Sequence, residues 1–138
     1  MARQITRVGA YGLLTRDDAI LLCRISSELP HLAGQWTLPG GGVEFREHPR
    51  EAMIREVREE TGYYVRASKL AEVDSGAVET PRGELHAIRI LYFADIVGGE
   101  LRFEVGGTTD MCAWIVRREA HDLPLVELAE LGLELAFA

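Results

Sequence analysis

Three glutamates, Glu56, Glu59 and Glu60, stand at relative positions i, i+3 and i+4 of one charged segment. On an α-helix these positions lie on one face, because side chains three and four residues apart stack above one another. Like charges at this spacing repel, and a charge run usually belongs to a solvated helix face. A hard divalent cation would offset the repulsion and prefers oxygen ligands, so the pattern indicates a metal-binding face.

A glycine run, Gly40-Gly41-Gly42, precedes this segment, and Gly62 follows it. Successive glycines let the backbone approach the start of a helix closely, since they carry no Cβ atom. A backbone carbonyl oxygen in such a turn can join carboxylates as a metal ligand. The sequence therefore predicts a glycine turn and an acidic helix that face each other.

The spacing from Gly41 through Glu47 and Arg55 to Gly62 resembles the Nudix box of the MutT-like hydrolases. The resemblance implies an α/β fold, specifically a Nudix-type α/β/α sandwich around a mixed β-sheet. It also implies hydrolysis of a nucleoside diphosphate linked to another group X, in which metal-activated water attacks a phosphoanhydride. The expected metal is Mg²⁺, with Mn²⁺ as a plausible substitute. The box does not identify the leaving group, so the substrate stays open.

The resemblance also assigns roles to individual residues. Glu56 and Glu60 are the first choice for direct metal ligands, and Glu59 is the third. The carbonyl ligand of the family falls on Gly40. Arg55 is expected to orient the carboxylates rather than to touch the substrate.

The roles of four further acids are left open. Glu47 either binds metal or supports the loop, and Glu44 is either a loop carboxylate near the metal or a plain turn residue. Nudix enzymes take the general base either from the box or from a later loop, where Glu104 and Asp110 are the candidates. Clustered carboxylates titrate as a group, so the spacing alone does not choose the base.

Composition limits the class of protein. The chain of 138 residues has 47% hydrophobic content and a net charge of -7 at pH 7, which predicts one domain over residues 1–138. An acidic chain lacks the basic surface that a nucleic-acid polymer requires, which favours a small nucleotide-type substrate. No run approaches the roughly 20 apolar residues of a membrane span, and the N-terminal segment lacks a signal-peptide core. We therefore predict a cytoplasmic protein without a membrane partner, and a homodimer stays open.

The elements that must position these residues follow from periodicity and turn signals. A helix is predicted from about Pro49 to Thr61, and an amphipathic closing helix from Leu125 to Ala136. Cys23 and Cys112, in apolar strand-like runs, are expected to be buried thiols. A mixed sheet with helices on both faces should result. The predicted strands are residues 3–14 and 19–25 as a hairpin, then 35–38, 64–67, 70–78, 85–97, 100–105 and 111–116.

The competing interpretation is a non-catalytic nucleotide-binding or regulatory module that keeps the fold without hydrolysis. Degenerate Nudix domains typically lose carboxylates of the box, and this chain keeps all of them. The sequence therefore favours an enzyme.

Overall fold

A computed structural model describes residues 3–138 of the chain. Three helices and eight strands follow one another along these residues. The strands are β1 Gln4–Leu13, β2 Thr15–Arg16, β3 Ala19–Ile25, β4 Trp36–Thr37, β5 Gly40–Gly42, β6 Tyr63–Thr80, β7 Gly83–Gly99 and β8 Thr109–Val116. The helices are α1 Pro49–Thr61, α2 Arg117–Ala120 and α3 Glu127–Ala136.

The strands form two four-stranded sheets. The first has the order β5-β1-β7-β6 and is mixed, because β1 and β7 are parallel while the other pairs are antiparallel. In the second sheet, β3 pairs with β2, β4 and β8, all antiparallel. The α/β fold and the mixed sheet predicted from the sequence are confirmed.

The predicted hairpin of residues 3–14 and 19–25 is wrong as a pairing of two long strands. Strand β1 joins the first sheet and β3 joins the second, and only the short β2 turns back onto β3. The physical reason is that β1 is covered on both faces. Ala10 packs in one apolar core and Leu13 in the other, so the apolar pattern does not reveal which strand lies beside β1.

The predicted strand over residues 100–105 is also wrong, because the chain there runs as a loop. The backbone N–H of Arg102 donates to the Thr61 carbonyl at 2.8 Å, at the end of α1 rather than to a neighbouring strand. Phe103 and Val105 are exposed. The apolar residues of this segment therefore do not mark a buried strand.

Helix α1 has the bounds predicted from its end signals. The His48 side chain caps the start by accepting a hydrogen bond from the Arg50 N–H at 3.0 Å, and Gly62 ends the helix in the left-handed conformation at φ 84°. Met53 and Val57 are fully buried against the first sheet. The acidic side of the helix is therefore held beside the glycine strand β5.

The two cysteines lie opposite each other on β3 and β8. Cys23 and Cys112 are free thiols, both buried, with their sulfur atoms 2.8 Å apart. This confirms the prediction of buried thiols. None of the helices formed by residues 3–138 is long and apolar enough to cross a membrane.

Helix α3 closes the second core, in which Leu128 is 4% exposed. We expect Leu128→Ala to lower the free energy of unfolding by about 2 to 5 kcal/mol, because it removes a buried side chain and leaves a cavity. Chemical denaturation measures the loss. Glu130→Ala is the matched control, since Glu130 is exposed on the same helix. Equal unfolding energies for the two variants would contradict the assigned packing of α3.

Candidate active site

Glu60 lies in the last turn of α1, with only 4% of its surface exposed. Its Oε2 atom accepts a hydrogen bond from the Gly40 backbone N–H at 3.2 Å. Burial raises the pKa of the Glu60 carboxyl well above its usual range, and the nearby Glu56 and Glu104 carboxylates raise it further. Ionised Glu60 is therefore costly in this position unless a cation compensates it.

Glu56 stands one turn earlier, beside the glycine strand. A Cβ atom on Gly41 would lie 2.8 Å from the Glu56 carboxyl carbon, so only glycine allows this close approach. Burial raises the pKa of Glu56, Arg55 lowers it, and the neighbouring Glu59 and Glu47 carboxylates raise it. The Glu56 and Glu60 carboxyls are thus both brought to strand β5, as the helical spacing predicts.

Arg55 ties the acidic segment to its loop. Its Nε and Nη2 atoms donate to the two carboxylate oxygens of Glu47, both at 2.8 Å. Its Nη1 donates to Glu56 at 2.8 Å, and Nη2 also donates to the Gly42 carbonyl at 3.2 Å. This fork geometry suits arginine rather than lysine. The contacts favour the orienting role that the resemblance implies for Arg55 and the loop-supporting alternative for Glu47.

The Glu47 pair supports a prediction about acid stability. Hydrogen bonds from Arg55 lower the pKa of Glu47 to about 2. A depressed folded-state pKa adds stability above the unfolded value of about 4.5, and that stability is lost as the pH falls toward 2. We expect the melting temperature of Glu47→Gln to lie below that of the parent at pH 7. Thermal melts should show this gap close between pH 4.5 and pH 2, and a gap independent of pH would contradict the pair.

The other acidic residues predicted for the site lie in different surroundings. Glu44 and Glu59 lie 3.8 and 3.7 Å from Arg55, with side chains 70% and 50% exposed. Burial, together with Glu59 and Glu56, raises the pKa of Glu104, which places Glu104 beside the acidic cluster. Asp110 instead forms an exposed ion pair with Arg24 at 2.8 Å. The structure thus brings Glu104 toward the other acids and engages Asp110 elsewhere.

The donors fit a hard divalent cation. Glu56, Glu59, Glu60 and the Gly40 carbonyl offer oxygen atoms alone, and burial, with the neighbouring carboxylates, raises the pKa of Glu56 and Glu60. Among residues 3–138, no three acidic, histidine or cysteine side chains are already arranged around one ion. Glu56 reaches back to Arg55 instead. Arg55 engages only the Oε1 atom of Glu56, so the Oε2 atom would stay open to a metal ion.

A cleft of about 560 Å³ opens beside this cluster. Glu60, Gly40 and Gly41 line one part of it. Arg7 and Arg89 are the basic residues among the described residues that line it. Apolar residues from two loops and the start of α3 form much of the remaining wall, including Leu29, Leu32, Leu125, Val126 and Leu128.

Comparison with known families identifies this arrangement. A family model described as the NUDIX domain matches residues 4–132. The chain belongs to the NUDIX family. The resemblance read from the box is thereby confirmed, and it extends over nearly the whole chain.

Individual NUDIX relatives agree with this assignment. The chain is 38% identical over 95 residues to an ADP-ribose pyrophosphatase of Methanocaldococcus jannaschii, covering 69% of this chain and 54% of that protein. It is 32% identical over 121 residues to the nucleoside triphosphatase NudI of Klebsiella pneumoniae, covering 84% of each. A MutT NUDIX hydrolase from Burkholderia pseudomallei superposes with a TM-score of 0.78 at 29% identity, over 94% of this chain and 97% of that one. The match therefore spans about half of the archaeal relative.

The NUDIX cleft contains residues that sequence reasoning missed. Arg7 and Tyr11 on β1, and Arg89 on β7, line it together with Glu60. The signal for Arg7 and Tyr11 is the two-residue period of β1, in which Arg7, Gly9 and Tyr11 share one face. The apolar, strand-forming pattern of the segment does not by itself single out these side chains.

Proposed function

We propose that this NUDIX chain, as a single domain over residues 1–138, is a divalent-metal-dependent pyrophosphohydrolase. It cleaves the phosphoanhydride of a nucleoside diphosphate linked to another group X. The observation that carries the proposal is the pair of carboxyls, buried Glu60 and partly buried Glu56, packed beside the glycine strand at the edge of a substrate-sized cleft. The named activities of the two enzyme relatives support the same reaction class.

The assignment of metal ligands follows from this geometry. Glu56, Glu60 and Glu59, with the Gly40 carbonyl, would hold Mg²⁺ or Mn²⁺. The metal supplies charge neutralisation of the phosphate oxygens and a lower pKa for the attacking water. Arg55 holds Glu56 and the loop in place through its four hydrogen bonds.

The general base stays a proposal between the acids of the box and Glu104. Glu104 interacts electrostatically with Glu56 and Glu59, and its raised pKa makes its carboxylate a stronger proton acceptor than an unperturbed glutamate. Asp110 is the weaker candidate, because Arg24 already neutralises it.

A substrate panel tests the activity. Nucleoside triphosphates, nucleotide sugars, ADP-ribose and dinucleoside polyphosphates are incubated with the protein and Mg²⁺ or Mn²⁺, and released phosphate and pyrophosphate are measured. We expect hydrolysis of at least one member, abolished by EDTA. Nucleotide binding without hydrolysis of any member would favour the non-catalytic module instead.

Nucleic-acid polymers should not be substrates or ligands. The net charge of -7 repels a polyanion, and metal binding does not build the continuous basic surface that a duplex requires. A fluorescence anisotropy titration with labelled DNA and RNA should show no salt-sensitive binding. Tight binding that weakens steeply with salt would contradict the proposed substrate class.

The cytoplasmic location stays a proposal from the N-terminal sequence, of which Met1 and Ala2 lie outside the described residues. The homodimer stays open as well. Sedimentation analysis of the purified protein would determine the oligomeric state.

A further inference from the structure

We propose that Arg7 and Arg89 form an anion-binding pair on the floor of the cleft, and that this pair selects nucleoside triphosphates over substrates whose group X is an uncharged sugar. The inference rests on the proposed hydrolase function and specifies its substrate class. It names two binding residues outside the acidic helix.

The strand register places both arginines on one face of the first sheet. Arg7 and Gly9 are two residues apart on β1, so their side-chain directions coincide. Gly9 pairs with Arg89 on β7 and with Gly42 on β5. Paired residues in neighbouring strands point to the same side, so both arginines rise from the face that forms the cleft floor.

The floor between the arginines is made of small residues. Ala87 pairs with Arg7, and Gly76 pairs with Ala87. A Cβ atom on Gly76 would lie 2.6 Å from Nη2 of Arg89, and one on Gly42 would lie 3.1 Å from Nη2 of Arg7. Each guanidinium group therefore lies over a glycine. Larger residues would displace these groups and fill the space in which a ligand lies.

The hydrogen-bonding capacity of the two side chains is largely unused. Arg7 forms no ion pair within residues 3–138. Arg89 is 16% exposed and forms one ion pair, with Asp74 at 2.9 Å, while its buried Nε has no hydrogen-bond partner in the described structure. Buried donors are rarely left unsatisfied without a reason such as an absent ligand. A planar donor group held by a single anchor is suited to phosphate oxygens.

The pair also lines the same cleft as Glu60. Burial raises the pKa of Tyr11, Arg7 and Arg89 lower it, and Glu60 and Glu56 raise it. Tyr11 therefore lies within electrostatic reach of both the basic and the acidic groups. A polyphosphate in this cleft would lie beside Glu60 and the two arginines, with its nucleoside against the apolar wall of the cleft.

Charge then decides between two kinds of substrate. A nucleoside triphosphate carries a third phosphate beyond the two of a diphosphate, and two further guanidinium groups can neutralise it. In ADP-ribose the corresponding group X is a neutral sugar, which offers the two guanidinium groups no negative charge to pair with. The parent should therefore show a higher kcat/KM for nucleoside triphosphates than for ADP-ribose.

The kinetic test compares Arg7→Gln and Arg89→Gln with the parent on separate nucleoside triphosphates and on ADP-ribose, with Mg²⁺. We expect the kcat/KM for triphosphates to fall about 10- to 100-fold in each variant, mainly through KM, because a charge-assisted phosphate contact is lost. The kcat/KM for ADP-ribose should differ less than about threefold between each variant and the parent, because the ribose group X carries no charge that these arginines could bind. Arg82→Gln, in the exposed β6–β7 turn, is the matched control and should match the parent on both. Equal losses on both substrates, or unchanged triphosphate kinetics, would overturn the selection by this pair.

Folding and positioning are controlled separately. The double variant Asp74→Asn with Arg89→Gln avoids leaving Asp74 unpaired and should show the same kinetic loss as Arg89→Gln with a melting temperature near the parent's. Gly76→Ala keeps the charge but pushes the guanidinium aside, so its triphosphate KM should rise. A Gly76→Ala variant with the parent's KM would contradict the assigned position of Arg89.

A binding experiment tests the anion-binding pair separately from the proposed hydrolysis. Inorganic triphosphate is titrated by calorimetry into the protein in EDTA, where no hydrolysis occurs. The parent should bind it at least tenfold more tightly than either arginine variant. Equal affinities would overturn the anion-binding pair even if the protein hydrolyses nucleotides. A parent that binds triphosphate through these arginines but hydrolyses nothing would keep the pair and contradict the reaction.

Discussion

Glu60→Gln is expected to lower turnover by several orders of magnitude while the fold stays intact. Glutamine keeps an oxygen that can accept the Gly40 N–H bond seen at 3.2 Å, so the local structure persists. The neutral amide does not replace a charged ligand at a metal centre, and the loss should appear in kcat on a confirmed substrate. Steady-state kinetics with saturating Mg²⁺ measure it.

The melting temperature of Glu60→Gln should respond to metal differently from that of the parent. Burial and the Glu56 and Glu104 carboxylates disfavour ionised Glu60, so in EDTA at pH 7 the variant should melt no lower than the parent. Added Mg²⁺ should raise the melting temperature of the parent more than that of the variant, because a ligand that binds only the folded state stabilises it. Glu51→Gln, exposed in the first turn of the same helix, is the control and should behave like the parent. Parent-like turnover by Glu60→Gln would show that Glu60 is not a ligand.

Arg55→Gln is expected to have the second-largest effect, on both stability and activity. Removing the guanidinium leaves the Glu47 and Glu56 carboxylates and the Gly42 carbonyl without their shared donor. We expect a loss of about 2 to 3 kcal/mol in unfolding free energy, because several charge-assisted hydrogen bonds disappear from a partly buried site. Chemical denaturation and steady-state kinetics measure the two effects.

Arg55→Lys separates charge from geometry in this test. An ammonium group restores the charge but does not donate to Glu47 through two parallel bonds while also reaching Glu56 and Gly42. We therefore expect lysine to recover only a small part of the activity. Arg50→Gln, at an exposed position of the same helix, should match the parent. Full recovery by lysine would mean that Arg55 acts as a simple counter-charge.

Local sequence signals determined the acidic helix. Pro49 at the start, Gly62 at the end and the burial of Met53 and Val57 act within a few residues of each other, so helix bounds follow from neighbouring side chains alone. The specific contact of Gly41 with Glu56 joins two separate elements, and the sequence predicts only that the glycine run approaches the start of the helix. The bounds of the acidic helix therefore follow from the local sequence.

The closing helix α3 was predicted to begin two residues too early. Its amphipathic spacing includes Leu125, but Trp36 pairs there as an isolated bridge and holds residue 125 in extended backbone. The helix begins only at Glu127. A long-range backbone pairing thus overrode local periodicity at this boundary.

By itself, the sequence determined the helix, the glycine turn and the chemistry that the carboxylates favour. Only the tertiary structure decided that β1 lies beside β7 rather than β3, that Arg7 and Arg89 share a cleft, and that Glu104 rather than Asp110 approaches the acids. The physical reason is the distance along the chain over which each kind of interaction acts. Helix caps and i, i+4 spacing act between neighbours in the chain. In contrast, the pairing of β1 with β7 joins residues 80 positions apart, and the approach of Glu104 to the acidic helix joins residues 45 or more positions apart. Many strand pairings also satisfy the same apolar pattern.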